Sequence, residues 1–207
     1  SLASSLEELR EASAEFCAFG AYLEEEVRAA LEVGGAERLP NGGWSNELIQ
    51  VERLRASVSE LDAYPRKGDK AASLVKRGGL VVELRGTLLG CDWAKAASWA
   101  PLHAALDSAL ARELSGEAEV VECREQLLQM QEKVFGDLER ALSEGKAVRI
   151  EGAPPESPWD HSTIEVEPLS EAIAECEAFP CRHDGHSELL AMAATALRVR
   201  RALALVQ

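Results

Sequence analysis

Aromatic residues make up only 5% of the 207 residues, and there are two methionines. Sandwiches and barrels draw on aromatic and β-branched side chains, so this scarcity turns the reading away from an all-β fold. Long apolar runs are missing as well. Leu80, Val81 and Val82 are cut off by Glu83 and Arg85, and no stretch reaches the roughly twenty apolar residues that a membrane helix needs. Near the start no charged stretch leads into an apolar one, so no secretory leader is expected. The first residue is Ser rather than Met, which reads as a processed product or a piece of something longer. There is no N-x-S/T sequon. G-x-S-x-G, H-E-x-x-H and G-x-G-x-x-G are also absent, which removes the common signatures of serine hydrolases, zinc proteases and dinucleotide binders. The run Lys67-Gly68-Asp69-Lys70 lacks the order of a phosphate loop.

Positive charge is in short supply. Against 22 Lys+Arg stand 36 Asp+Glu, for a net charge of −14. Nonspecific nucleic-acid binding requires a basic surface, so nucleic acid is not an expected partner. Carboxylate runs such as Glu24, Glu25 and Glu26 read as solvated helix face rather than acid–base machinery. The five cysteines, Cys17, Cys91, Cys123, Cys176 and Cys181, are an odd number. Free thiols in a reducing compartment are the simpler account, and the expected location is intracellular, in the cytoplasm.

What the sequence does have is Ala, Leu and Glu in helical periodicity, together with an internal repeat. With Trp44 placed on Trp159, an offset of 115, the next 45 positions align without a gap. Leu54 meets Leu169, Tyr64-Pro65 meets Phe179-Pro180, Asp69 meets Asp184, and Arg85 meets Arg200. Residues 8–31 share an outline with residues 119–142 at an offset of 111. Trp93 and Leu102 repeat the Trp–Leu spacing more loosely. The chain therefore divides into a partial unit (1–43) and three helical hairpins (44–92, 93–158 and 159–207), with Trp44, Trp93, Trp159, Leu54, Leu102 and Leu169 as structural anchors. The tryptophans are expected to wedge neighbouring hairpins together. The expected fold is all-α, an array of antiparallel helical hairpins with about seven helices, forming a short solenoid or irregular bundle.

Local signals refine that picture. Tyr64-Pro65 and Phe179-Pro180 should stop helices, because proline lacks an N–H and disfavours helix in the residue before it. Pro101 and Pro168 suit the first turn of a helix. Asp69 and Ser115 are expected N-caps. Residues 34–43 and 145–158 are Gly/Pro-rich connectors, with a short strand-like stretch near Val148 and Ile150. Gly78-Gly79 inside a helix means either a close helix approach or a bend. His103 reads as a satisfied helix residue.

Cys176, Cys181, His183 and His186 suit a tetrahedral zinc. The first copy carries Leu61, Arg66, Gly68 and Ala71 in their place, so a core thiol and a solvated loop are preferred, with zinc as the alternative. The C-terminal segment 197–207 is basic and amphipathic. It is first the last helix of a hairpin and only secondarily a calmodulin-type target. Trp99, outside the repeat, and Phe16 and Phe19, on the partial unit, are expected exposed partner contacts. The resulting expectation is a noncatalytic protein–protein interaction or scaffold segment of a larger protein, whose partners include neighbouring repeats. Two alternatives stand beside it. One is a zinc-stabilised regulatory module; the other is an accessory helical domain of an enzyme whose active site lies elsewhere.

Overall fold

A computed structural model describes residues 2–154, 159–180 and 184–205. Among them are seven α-helices: α1 (Leu2–Glu32), α2 (Val51–Ala63), α3 (Asp69–Gly90), α4 (Trp99–Leu110), α5 (Ala118–Ser143), α6 (Glu167–Ala178) and α7 (Asp184–Ala204). A short 3-10 turn at Ala96–Ser98 precedes α4. The only strands described are two antiparallel pairs, β1 (Glu37–Arg38) with β2 (Trp44–Ser45) and β3 (Val148–Arg149) with β4 (Trp159–Asp160). The fold is all-α.

Helix ends follow the local chemistry. α2 and α6 stop one residue before Tyr64-Pro65 and Phe179-Pro180, where Tyr64 and Phe179 take extended backbone angles. Pro168 lies in the first turn of α6, where an amide would lack a partner in any case. Asp69 is the first residue of α3, behind an N-cap Gly68, so its charge acts on the helix dipole rather than as a cap. Ser115 lies in the turn before α5 and does not adjoin the helix start.

The connectors differ most from expectation. The first forms a β-hairpin instead of an irregular loop, and the strand-like stretch expected near Val148 is one strand of a second hairpin; they place Arg38 opposite Trp44 and Arg149 opposite Trp159. Asn41 Oδ1 accepts from the Gly43 amide at 3.0 Å inside the first turn. Trp44 and Trp159 therefore sit in strands. Trp44 is half-buried under the Arg38 guanidinium, 5.4 Å from the ring centroid. Trp159 is 47% exposed, so it is not a buried wedge. Between the paired strands lie residues 39–43 in the first hairpin and the longer segment 150–158 in the second. That extra length converts the offset of 111 upstream into 115 downstream.

The chain forms two compact units, Ser1–Asp92 with Pro101–Arg124, and Trp93–Ala100 with Glu125–Gln207. In the first, Leu23, Val27, Leu54, Leu61, Leu74 and Val81 form the core between α1, α2 and α3. Leu54 and Leu61 are fully buried, worth about 1.5–3 kcal/mol each relative to exposure. In the second, Val134, Leu138, Leu169, Ile173 and Cys176 hold the equivalent places on α5 and α6, all buried. Cys176 thus occupies the core position of Leu61. The anchor Leu102 is also fully buried.

Gly78 explains the double glycine. A Cβ there would collide with the Val58 side chain of α2, whereas one at Gly79 would meet nothing within 4 Å. The glycine at 78 permits close helix approach, and the one at 79 only weakens the helix. Gly79→Ala should raise the unfolding free energy by about 0.5–1 kcal/mol. Gly78→Leu should lower it by about 1–3 kcal/mol or more. Chemical denaturation of the two variants checks both signs.

Candidate functional site

The last four carbonyls of an α-helix have no partner within the helix and carry its negative end charge. At the end of α1 they are met by Arg85 of α3, whose side chain is 1% exposed. Its Nη1 donates to the Ala30 carbonyl at 3.0 Å and more weakly to that of Gln50 at 3.5 Å. Its Nη2 donates to Leu31 at 2.9 Å. At the end of α5, Arg200 of α7 makes the corresponding three bonds and a fourth to Glu144. Nη1 donates to Ala141 at 3.0 Å and Glu165 at 3.1 Å, and Nη2 to Leu142 at 3.0 Å and Glu144 at 2.7 Å. Gly34 and Gly145, at φ +77° and +58°, end the two long helices in the left-handed conformation that glycine adopts without penalty. Their carbonyls accept from the Gln50 and Glu165 amides. The guanidinium fork therefore ties each long helix to the segment after its β-hairpin. Lysine, a single point donor, cannot reproduce this.

The charge balance of the two arginines differs. In the first unit Glu119 of α5 accepts from Arg85 Nε at 2.5 Å, and this pair is almost wholly buried. Beside it lies Glu122, also buried, whose carboxyl is pushed up to about 7. Burial is the main cause; a side-chain hydrogen bond with Asn46 opposes it and the Glu119 charge adds to it. Among the described residues Glu122 Oε2 has no hydrogen-bond partner, so nothing at that oxygen offsets the burial that disfavours its charged form. Burial first, and then the same carboxylates, also raise the Cys123 thiol well above its ordinary range. In the second unit, among the described residues, no carboxylate bridges Arg200. Burial draws its pKa downward, with the charge of Glu165 opposing.

Next to Arg200 the second unit opens into a groove of about 950 Å³. Leu189, Met192, Val199 and Leu203 of α7 form one wall, with Leu142 and Ile164 opposite and Lys146 at the edge. Met192 is 59% and Val199 53% exposed. Sequence reasoning misses this face, because segment 197–207 reads first as the last helix of a hairpin. The signal available was the substitution of Arg77 and Leu80 in the first copy by Met192 and Thr195 in the second.

The residues singled out from sequence are scattered. Cys176 donates its thiol to the Val134 carbonyl at 3.4 Å. His186 stacks on Phe135 with ring centroids 3.7 Å apart, and its Nδ1 faces Gln131 at 3.3 Å. Cys181 and His183 lie outside the described residues. Among the described residues no three His, Cys, Asp or Glu side chains are grouped to hold a metal. Trp99 is 2% exposed, which corrects the expectation of a surface contact. Its Nε1 donates to the Trp93 carbonyl, and its ring packs at 5.5 Å from Phe179. Phe19 is 54% exposed, and the half-buried Phe16 stacks on Tyr64. His103 pairs with Asp107 one helical turn on. No described helix is long and apolar enough to cross a membrane.

No protein-family model matches the sequence, no curated protein matches it, and no solved structure matches the fold.

Arg85→Met should cost about 3–5 kcal/mol, because it strands the buried Glu119 charge. Arg85→Met with Glu119→Leu should recover much of that loss in urea unfolding. Glu122 binds its proton more tightly folded than unfolded, so its contribution to stability falls as pH rises from 4.5 towards 7 and stays low above that. Glu122→Gln should remove that fall. Its stability advantage over the wild type should be largest above pH 7 and at most about 3 kcal/mol, as read from unfolding curves at pH 5 and pH 8.

Proposed function

We propose that this chain is a noncatalytic helical-repeat module that binds protein partners, a scaffold segment of a larger intracellular protein. The observation that carries this reading is the groove on α7, a continuous apolar face on an otherwise charged chain. Exposed apolar patches rimmed by polar residues mark interaction sites. Two further features support it. The strongly perturbed groups, Glu122 and Cys123, are buried in the first unit and are not among the residues that line the groove. The buried arginines are committed to backbone carbonyls, which is a structural task.

The test is site-specific photo-crosslinking with p-benzoylphenylalanine at position 192, 199 or 194, in extracts of the cells that make the protein. Discrete protein adducts are expected from 192 and 199, which line the groove, and not from 194, which is exposed outside its lining. Equal labelling at all three positions, or none at 192 and 199, would count against the reading.

A further inference from the structure

The first unit provides a template for what covers the groove of the second. Along α3, Leu84 and Leu88 are buried but lie outside the core that α1, α2 and α3 share. Their counterparts on α7 at the offset of 115 are Val199 and Leu203. Val199 is 53% exposed and Leu203 only half-buried. Both helices pack on a short helix through a buried small residue, Gly78 or Ala193, and both bury their arginine. What the first unit has in addition is Pro101–Arg124, most of α4 and the first turns of α5. That segment buries Leu102, Leu106, Ala109 and Val120. Two ion pairs hold it to α3, Arg77 with Glu117 and Arg85 with Glu119, each at 2.5 Å.

Charge points the same way. Arg200 repeats the carbonyl contacts of Arg85, but among the described residues its Nε meets no carboxylate. A side chain at Gly35 would lie 3.0 Å from the Glu119 carboxylate. The counterpart of Gly35 at the offset of 111 is Lys146, on the edge of the groove. An apolar strip thus ends beside two cations, Arg200 and Lys146, with Glu139 the single carboxylate in the lining.

We propose that the α7 groove docks a helical hairpin of the kind that α4 and the start of α5 form over α3: an amphipathic pair whose second helix carries, in its first turn, a carboxylate that seats between Arg200 and Lys146. This rests on the interaction reading above and names the chemistry of the partner. A first-turn carboxylate is favoured by its own helix dipole, and a charge-assisted bond to Nε would complete the guanidinium. The match is not to the α4–α5 sequence itself. Met192 stands where Arg77 grips Glu117, so at that place the partner carries an apolar residue.

The probe is a fluorescein-labelled peptide of residues 99–127, offered to the intact chain and followed by anisotropy. Saturable 1:1 binding is expected, tighter for the Glu117→Leu peptide by about three- to tenfold, roughly one partly buried apolar side chain. Glu119→Lys in the peptide should weaken binding by about tenfold or more, and Val199→Glu in the protein should abolish it. A second measurement avoids dependence on the isolated peptide's helicity. Gln207 is the counterpart of Asp92, so a second copy of residues 93–124 appended directly after it continues the repeat in register. Hydrogen exchange of α7 amides should slow by about tenfold in that chain, and Glu119→Lys in the appended copy should reverse the slowing.

Peptide binding indifferent to Val199→Glu, or α7 exchange unchanged in the extended chain, would overturn the proposal. So would concentration-dependent dimerisation abolished by Val199→Glu, which would assign the groove to a second copy. Failure here with crosslinks at 192 and 199 intact would mean an interface for a different partner. Loss of those crosslinks would remove the interaction reading itself.

Discussion

A guanidinium buried at the C-terminal end of a long helix is the constraint around which each unit is built. A helix end inside a protein presents carbonyl oxygens that water no longer reaches, and each unmet one costs free energy. Arg85 answers for the end of α1 and Arg200 for the end of α5. In doing so each also reaches the carbonyl before the next short helix, at Gln50 or Glu165. One side chain thereby fixes three things: where the long helix stops, how the β-hairpin folds back, and the angle at which the following pair enters. The glycines in left-handed conformation and the hairpin registers recur in both units because they serve the same closure.

That closure carries a positive charge into the interior, and the two units balance it differently. In the first, Glu119 neutralises Arg85 directly, and Glu122 beside it avoids a second negative charge by holding its proton up to about pH 7. A buried ion pair of this kind adds little net stability, yet it costs much to break. In the second, the arginine is met by carbonyl dipoles, with the charge of Glu165 adding to them, and the helix that carries it turns an apolar strip outward. The shared core positions keep their apolar character even where Leu61 becomes Cys176.

Much of this architecture was legible before any coordinates. Helix stops at Tyr64-Pro65 and Phe179-Pro180 follow from proline's missing amide, and the matched frame from Trp44 onward reflects residues that hold equivalent places. Arg85 and Arg200 were part of that match, but a conserved spacing of two arginines does not say that their side chains turn inward. The first hairpin reads from sequence as a loose connector and the second shows only the strand-like stretch near Val148, because strands of two residues leave little periodicity to detect. Trp99 was taken for a surface residue because it broke the repeat. It is buried because the 3-10 turn before α4 aims it at Phe179. The candidate zinc ligands were adjacent in sequence, but Cys176 faces the core and His186 a phenylalanine ring.

The sequence by itself determined the all-α class, the positions of most helix ends and the existence of a duplication. These depend on local rules, backbone sterics and apolar periodicity, that act over a turn or two of chain. Tertiary structure alone decided which copy of the repeated helix face is covered and which is open. That choice depends on residues more than thirty positions apart, such as Arg85 and Glu119, and no local signal encodes whether such a partner arrives. The first copy meets its carboxylate and closes. The second presents the same arginine beside an open apolar groove.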